Sequence, residues 1–267
     1  MTRILVTNDD GVDAPGLVAL ARAARQAGFE VVVAAPREEA SGMSAALTAV
    51  TADGRIVVER RTIGGLSGYG VAASPAYIVV LAALGAFGPP PDVVLSGINR
   101  GANAGHAVLH SGTVGAALTA ANNGLRAMAV SLDVLHSQPG GVASGGAAIT
   151  VPDDGVLHWA AAAEVARSLL AGLAEAPAGT VLNVNVPDRP APAGLREAGL
   201  ASFGQAQMAV AEQGEDFVRT AVEWTGEQLV PGTDLAWLAE GYATVTSLRP
   251  PAQVGGVHLP VQRSASP

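Results

Sequence analysis

The chain alternates short apolar runs with longer segments whose apolar residues recur every three or four positions. The first pattern marks buried strands and the second amphipathic or buried helices. Thr2–Asn8, built on Ile4-Leu5-Val6, reads as a strand. Pro15–Ala27 reads as a helix, with proline in its first turn and Gly28 just past its end. Glu30–Ala35 is a β-branched run stopped by Pro36. Leu47–Thr51, Ile56–Thr62 and Tyr69–Ala72 are shorter strands separated by Asp53-Gly54 and Gly64-Gly65 turns, an expected antiparallel excursion from the main sheet.

Ser74-Pro75 is a cap and first-turn pair that opens a helix to Ala86, ended by Pro89-Pro90-Pro91. Asp92–Ser96 is a strand, Gly97–Ser111 a Gly- and Asn-rich loop, and Gly112–Asn123 an Ala-rich helix stopped by Gly124. Arg126–Leu132 and Thr180–Val186 are further strands, with a helix over Val156–Glu175 between them. This alternation predicts an α/β fold: a doubly wound, mostly parallel sheet with helices on both faces. His136–Gly155 is rich in Gly, Ser, Ala and Pro without a period, and is expected to be a flexible surface insert. The stretch 194–224 is expected to hold strands, a hairpin being one arrangement, although Val218, Ala221, Val222 and Trp224 alternate poorly. Thr233-Asp234 caps a short helix to Ala239. Gly241–Leu248 is the last strand, and four prolines make the tail from Arg249 irregular.

The chain has 267 residues, 49% hydrophobic and 14% charged, enough apolar material for one large core and too much for disorder. A net charge of −8 excludes a broad electrostatic grip on a nucleic acid duplex. With no cysteine there is no disulfide, thiolate metal site or Cys nucleophile. All fifteen basic residues are arginine, which excludes a P-loop lysine and a Schiff-base lysine. Thr62–Pro91 carries no charge, but its unbroken apolar part, Ala76–Ala83, is far too short for a bilayer. No membrane partner is expected. The first apolar run lacks the length and cleavage site of a leader, so a cytoplasmic location is expected.

Three loops follow the carboxyl ends of predicted parallel strands: Asn8-Asp9-Asp10-Gly11, Ser41-Gly42-Met43-Ser44, and Gly97–Gly105 with Asn99. In an open α/β sheet such loops gather at one edge. Two carboxylates, a hydroxyl and a carboxamide are oxygen donors, which suit Mg²⁺, Mn²⁺ or Ca²⁺ better than Zn²⁺. Ser111-Gly112-Thr113 opens a helix, where hydroxyls and free N–H groups can hold a phosphate. A metal beside an anion cradle fits phosphoester hydrolysis by a metal-activated water. Each piece alone is also what a plain turn, a tight connection or a helix cap carries. His106 and His110 are four apart, but they lie in a Gly-rich loop without a zincin pattern. The first corner has acids where a dinucleotide site has glycines.

Taken together, these stretches resemble the SurE family of stationary-phase survival proteins, metal-dependent 5′/3′-nucleotidases and acid phosphatases. The resemblance is carried by ILVTNDDGVDAPG at 4–16, VVVAAP at 31–36, SGINRGANAG at 96–105 and HSGTVGAA at 110–117. AVSL at 129–132, LNVNVP at 182–187 and TDLAWLAEGYATVTSL at 233–248 extend it. It implies a Rossmann-like core with a C-terminal β-rich extension, and a homodimer or homotetramer. The division it implies is a catalytic core at 1–190 containing the insert 137–155, an oligomerisation extension at 191–232, a closing helix and strand at 233–248, and a tail at 249–267.

The resemblance further implies hydrolysis of nucleoside monophosphates. One divalent ion per subunit, Mg²⁺ or Mn²⁺, would be held by Asp9, Asp10, Ser41 and Asn99. Asn8, Gly42, Asn103, Ser111, Gly112 and Thr113 would surround the substrate phosphate, and Asp9 or Asp10 would take the proton of the attacking water. Two alternatives share the scaffold: the same chemistry on a specialised phosphorylated metabolite, and a ligand-binding homologue without turnover. The chain departs from the family pattern in a shortened loop between Ser41 and Ser44, in Tyr77 where an acid is usual, in the 202–232 region, and in the insert. These departures bear on nucleoside specificity and subunit contacts and leave the four metal positions in place.

Overall fold

The computed structural model describes residues 1–40, 42–134, 153–202, 206–214, 216–224 and 229–253. Most of the expected insert, together with Ser41 and the end of the tail, lies outside the described residues. In chain order the first half comprises β1 (Arg3–Thr7), α1 (Pro15–Gln26), β2 (Glu30–Pro36), β3 (Thr51–Ala52), β4 (Arg55–Ile56), β5 (Val58–Ile63), β6 (Leu66–Val71), α2 (Pro75–Ala83) and β7 (Val93–Arg100). A 3-10 turn at Gly105–His110 leads into α3 (Gly112–Asn122) and β8 (Arg126–Asp133). Then come α4 (Trp159–Glu175), β9 (Val181–Pro187), β10 (Leu195–Glu197), β11 (Ala206–Gln213), β12 (Val218–Trp224), α5 (Asp234–Ala239) and β13 (Ala243–Leu248).

The main sheet has the order β10-β13-β9-β8-β7-β1-β2-β6-β5. The run from β9 to β6 is parallel; β13 is antiparallel to β9, and β5 to β6. From β1 the chain first winds outward through β2 and β6, then returns to β7 on the other side. The switch point therefore lies between the carboxyl ends of β1 and β7, where open α/β sheets place their ligands.

Two predictions need correction. β6 is a parallel member of the main sheet and not part of a separate excursion. Its Gly68 comes so close to β2 that a Cβ there would stand 2.9 Å from the Val33 carbonyl, and Gly68 and Gly70 hide the apolar alternation. β7 runs on to Arg100, past the glycine that was expected to open the loop. Its backbone at Gly97 presses against the Val130 carbonyl of β8, which any Cβ would strike, and the pairing slips between Ser96 and Asn99.

Each face of the sheet has its own core. On one, α1 and α4 set Leu17, Leu20, Leu170 and Leu173 against Ile4, Val6 and Leu95. On the other, Ile78 and Val79 of α2 and Ala116, Ala117 and Ala120 of α3 cover Leu5 and Val94. Each buried leucine contributes about 1.5–3 kcal/mol. Helix α3 is apolar nearly all round, as expected of a helix enclosed on all sides. β11 and β12 pair only with each other among the described residues, outside the main sheet.

Candidate active site

β1 delivers Asn8-Asp9-Asp10-Gly11 to the switch point, and three short tethers hold the turn. Asn8, fully buried, donates its Nδ2 to the Gly11 carbonyl at 3.0 Å. The Ala40 N–H donates to the Asp9 carbonyl at 2.7 Å, and the Val12 N–H to Pro36 at 2.8 Å. Gly11 has φ of 103°, a left-handed conformation that favours glycine.

Asp9 is docked on the first turn of α3. The Thr113 hydroxyl donates to Asp9 Oδ1 at 2.5 Å, and the Thr113 backbone N–H donates to the same carboxylate. Gly112 makes the approach possible, because a Cβ there would stand 2.7 Å from Asp9 Oδ2. The positive end of the helix faces the acid. Burial nonetheless raises the Asp9 pKa above its usual value, with the Thr113 hydrogen bonds pulling the other way. Asp10 is pushed up to about 7, first by burial, then by the charges of Asp9 and Glu39, against one hydrogen bond from the Arg100 N–H. Its Oδ2 is buried and accepts no hydrogen bond among the described residues. Two adjacent carboxylates, each disfavoured as an anion, form an environment that a cation would relieve.

Asn99 sits at the end of β7 and donates its Nδ2 to the Gly101 carbonyl at 2.8 Å, an orientation that keeps Oδ1 available as an oxygen donor. Asn103 is clamped harder. Its N–H donates to Asn185 Oδ1 at 2.8 Å, its carbonyl accepts from Asn183 and Asn185, and its Nδ2 donates to Ser131 at 2.8 Å. Sequence reasoning assigned no role to these buried polar residues of β8 and β9. The signal was present as two asparagines in alternation within an apolar strand, where an unpaired amide would be costly. Sequence reasoning read Asp234 only as part of a helix cap; the residue is fully buried at the start of α5, and its carboxylate accepts from the N–H groups of Gly105, Ala201 and Leu235. The shortened loop after β2 packs on α3 as well. Ser44 donates to the Leu109 carbonyl at 2.7 Å, and its backbone lies where a Cβ on Gly115 would be.

These elements enclose an open cleft of about 660 Å³. Asp9, Asp10, Gly42, Asn99, Asn103, Ser111 and Gly112 lie on its wall. Asn8 and Thr113 are fully buried and absent from its wall; Asn8 spans the turn to Gly11, and Thr113 holds the Asp9 carboxylate. Ser111 caps α3 by accepting from the Val114 N–H at 3.0 Å. Ser41, the expected hydroxyl ligand, lies outside the described residues. His110 reaches the wall and His106 does not. Tyr77 is partly buried against the α2–α3 core and takes no part in the lining. Among the described residues, no three His, Asp or Glu side chains form a metal-holding group. A cation here would draw on two carboxylates supplemented by amide and hydroxyl oxygens, a hard-ion donor set.

Fold and site together define a doubly wound α/β protein with an acidic, oxygen-donor cleft at its switch point. The family model for "Survival protein SurE" matches residues 4–210. The 5′-nucleotidase SurE of Xylella fastidiosa (strain 9a5c) is 42% identical over 188 residues, covering 70% of this chain and 64% of that relative, so the match spans under two thirds of its length. The 5′-nucleotidase SurE of Stenotrophomonas maltophilia (strain K279a) is 36% identical over 256 residues, 92% of this chain and 89% of the relative. The 5′/3′-nucleotidase SurE of Shigella dysenteriae serotype 1 (strain Sd197) is 36% identical over 92% of this chain and 90% of its own length. The crystal structure of the SurE protein from Aquifex aeolicus superposes with a TM-score of 0.68 at 26% identity, covering 92% of this chain and 93% of that one. The chain belongs to the SurE family.

Proposed function

We propose that the chain is a divalent-metal-dependent phosphomonoesterase that hydrolyses nucleoside monophosphates to nucleoside and phosphate. The observation that carries this reading is a pair of adjacent carboxylates on the wall of an open cleft, Asp9 buried against the first turn of α3 and Asp10 next to it. The nucleotidase names of the Xylella, Stenotrophomonas and Shigella relatives support the substrate class.

In this reading Asp9, Asp10, Asn99 and Ser41 hold one Mg²⁺ or Mn²⁺ per subunit. When bound, the ion supplies Lewis-acid stabilisation and an activated water. The residues of the chain do the rest. Thr113 and Asn8 keep the turn from moving. The N–H groups of Thr113 and Val114 are spent on Asp9 and Ser111, which leaves the Gly112 N–H of the first turn for a phosphate oxygen. Gly42, Asn103 and the Ser111 hydroxyl complete the cradle. Asp9 and Asp10 are the candidate proton acceptors.

The same reading includes a cytoplasmic location and self-association as a homodimer or homotetramer through the β11–β12 hairpin. Val210, Phe217 and Val218 are each more than half exposed there, and an isolated two-stranded hairpin is marginal in water. No helix among the described residues is long and apolar enough to cross a membrane. A phosphate-release screen over nucleotides and sugar phosphates, with and without Mg²⁺ or Mn²⁺, tests the activity. Metal-independent turnover rejects it. Light scattering on the intact chain and on a hairpin deletion tests the assembly.

A further inference from the structure

The acidic end of the cleft accounts for a metal and a phosphate, but not for the rest of its volume. The remainder of the wall comes from the other face of the sheet, from the first turns of α1 and α4. Val12, Ala14 and Pro15 line it, together with Ile98 and the indole of Trp159, the first residue of α4. Trp159 is only partly buried, so a large apolar ring stays open to a cleft otherwise rich in charge.

That ring is held at both edges. Its Nε1 donates to the Asp154 carbonyl at 3.1 Å. Asp154 Oδ1 lies 3.4 Å from Arg100 Nε, and the Arg100 backbone N–H donates to the Asp10 carboxylate. The opposite edge rests on α1 at Gly16, where a Cβ would stand 3.0 Å from Trp159 Cζ3 and would also strike the Ile98 carbonyl. The indole is therefore anchored at one edge by a hydrogen bond and at the other by α1, and Asp154 and Arg100 link it to the acid pair. An anchored aromatic ring that is partly exposed and lines the cleft favours stacking by a flat heterocycle, at a reduced cost in ring freedom on binding.

We propose that Trp159 is the nucleobase platform of this cleft. The base of the substrate stacks on its indole while the phosphate lies at the first turn of α3, and the sugar spans the cleft between them. This rests on the reading of the chain as a nucleotidase and names its specificity-determining residue. Purines, with the larger ring system, are favoured over pyrimidines. Trp159 acts through binding and not on the reacting atoms.

The test separates the base from the phosphate. Intrinsic fluorescence of the intact chain is titrated with adenosine, without metal or phosphate. Adenosine quenches the emission, Trp237→Phe keeps the effect, and Trp159→Phe removes it. In kinetics, Trp159→Ala lowers the preference for AMP over ribose 5-phosphate by roughly tenfold, as loss of one stacking contact predicts. The loss falls on KM more than on kcat, and Trp159→Phe or Trp159→Tyr recovers most of it. Equal losses on AMP and ribose 5-phosphate would make Trp159 a structural post and overturn the proposal, as would an unquenched wild-type chain. If Trp159→Ala fails to fold, the wild-type titration and the phenylalanine variant still decide. Adenosine quenching in a chain that hydrolyses neither ester would sink the nucleotidase reading and leave the platform standing.

Discussion

Thr113 donates its hydroxyl to Asp9 Oδ1 at 2.5 Å, across the gap between the end of β1 and the start of α3. The contact sets the direction of the carboxylate and offsets part of its burial. In the proposed metal-dependent reading Asp9 is a ligand, and removing such a supporting partner from a metal ligand typically costs 10–100-fold in affinity or activity. Thr113→Val, which keeps the shape and loses the donor, is expected to weaken Mn²⁺ binding by about that factor, read by titration calorimetry. Thr113→Ser recovers most of it. Unchanged affinity in the valine variant would remove Asp9 from the metal shell.

Gly112→Ala puts a methyl group 2.7 Å from Asp9 Oδ2. Either the carboxylate or α3 has to move. The expected outcome is a loss of turnover of about 100-fold or more, from misplacement of one group in the site, while the circular dichroism spectrum of the fold is kept.

Asp9→Asn keeps an oxygen for Thr113 and deletes one negative charge from the acid pair. Near-complete loss of metal-dependent phosphate release is expected, with a thermal midpoint at or above wild type, because a buried like-charge pair has been relieved. Substantial residual hydrolysis would move the reaction elsewhere.

Asp10 gives the metal-free protein a definite pH dependence. An unfolded aspartate titrates near ~3.9, and the folded Asp10 near about 7. Between these values the folded chain keeps a proton that the unfolded chain has lost. That contribution to stability is full below the lower value and is lost as the pH rises through the upper one. Asp9, also raised, acts in the same direction. Metal-stripped protein should therefore melt higher at pH 5 than at pH 7.5, and Asp10→Asn should flatten the difference. Stabilisation by Mn²⁺ runs the other way, growing with pH and levelling near 7, because protons and cation compete for the same oxygens.

Asp234 is remote from the chemistry, yet it holds three backbone donors of separate segments. Asp234→Ala strands them, at about 1–3 kcal/mol for each buried donor left unpaired. An unfolding free energy from denaturant titration lower by at least the cost of one such donor, about 1–3 kcal/mol, checks this. Asp234→Asn, which keeps one acceptor oxygen, should fall between the two.

The parallel core and its order of elements were readable from apolar runs and glycine or proline stops, because buried strands and capped helices leave periodic marks. The acid turn, Asn99 and the α3 cap were readable as residue types at strand ends. Three features escaped. Gly68 and Gly97 looked like breaks but mark close backbone approach, which depends on a neighbouring strand and leaves no local sign. Thr113 and Asn8 looked like phosphate ligands, and the structure buries their side chains off the cleft wall, a distinction of direction that residue type does not encode. Asn183 and Asn185 stood out locally as polar residues in an apolar strand, but their partner Asn103, like the Gly105 partner of Asp234, lies far away in the chain, so the pairing itself left no local pattern.

Glycines 112 and 115 lie one turn apart on α3, the first under Asp9 and the second under the Ser44 backbone. One rigid helix thus works as a jig for two walls of the cleft. A library meant to alter substrate choice should leave that turn untouched and vary the opposite side around Trp159, where pocket shape can change while the acid pair stays where it is.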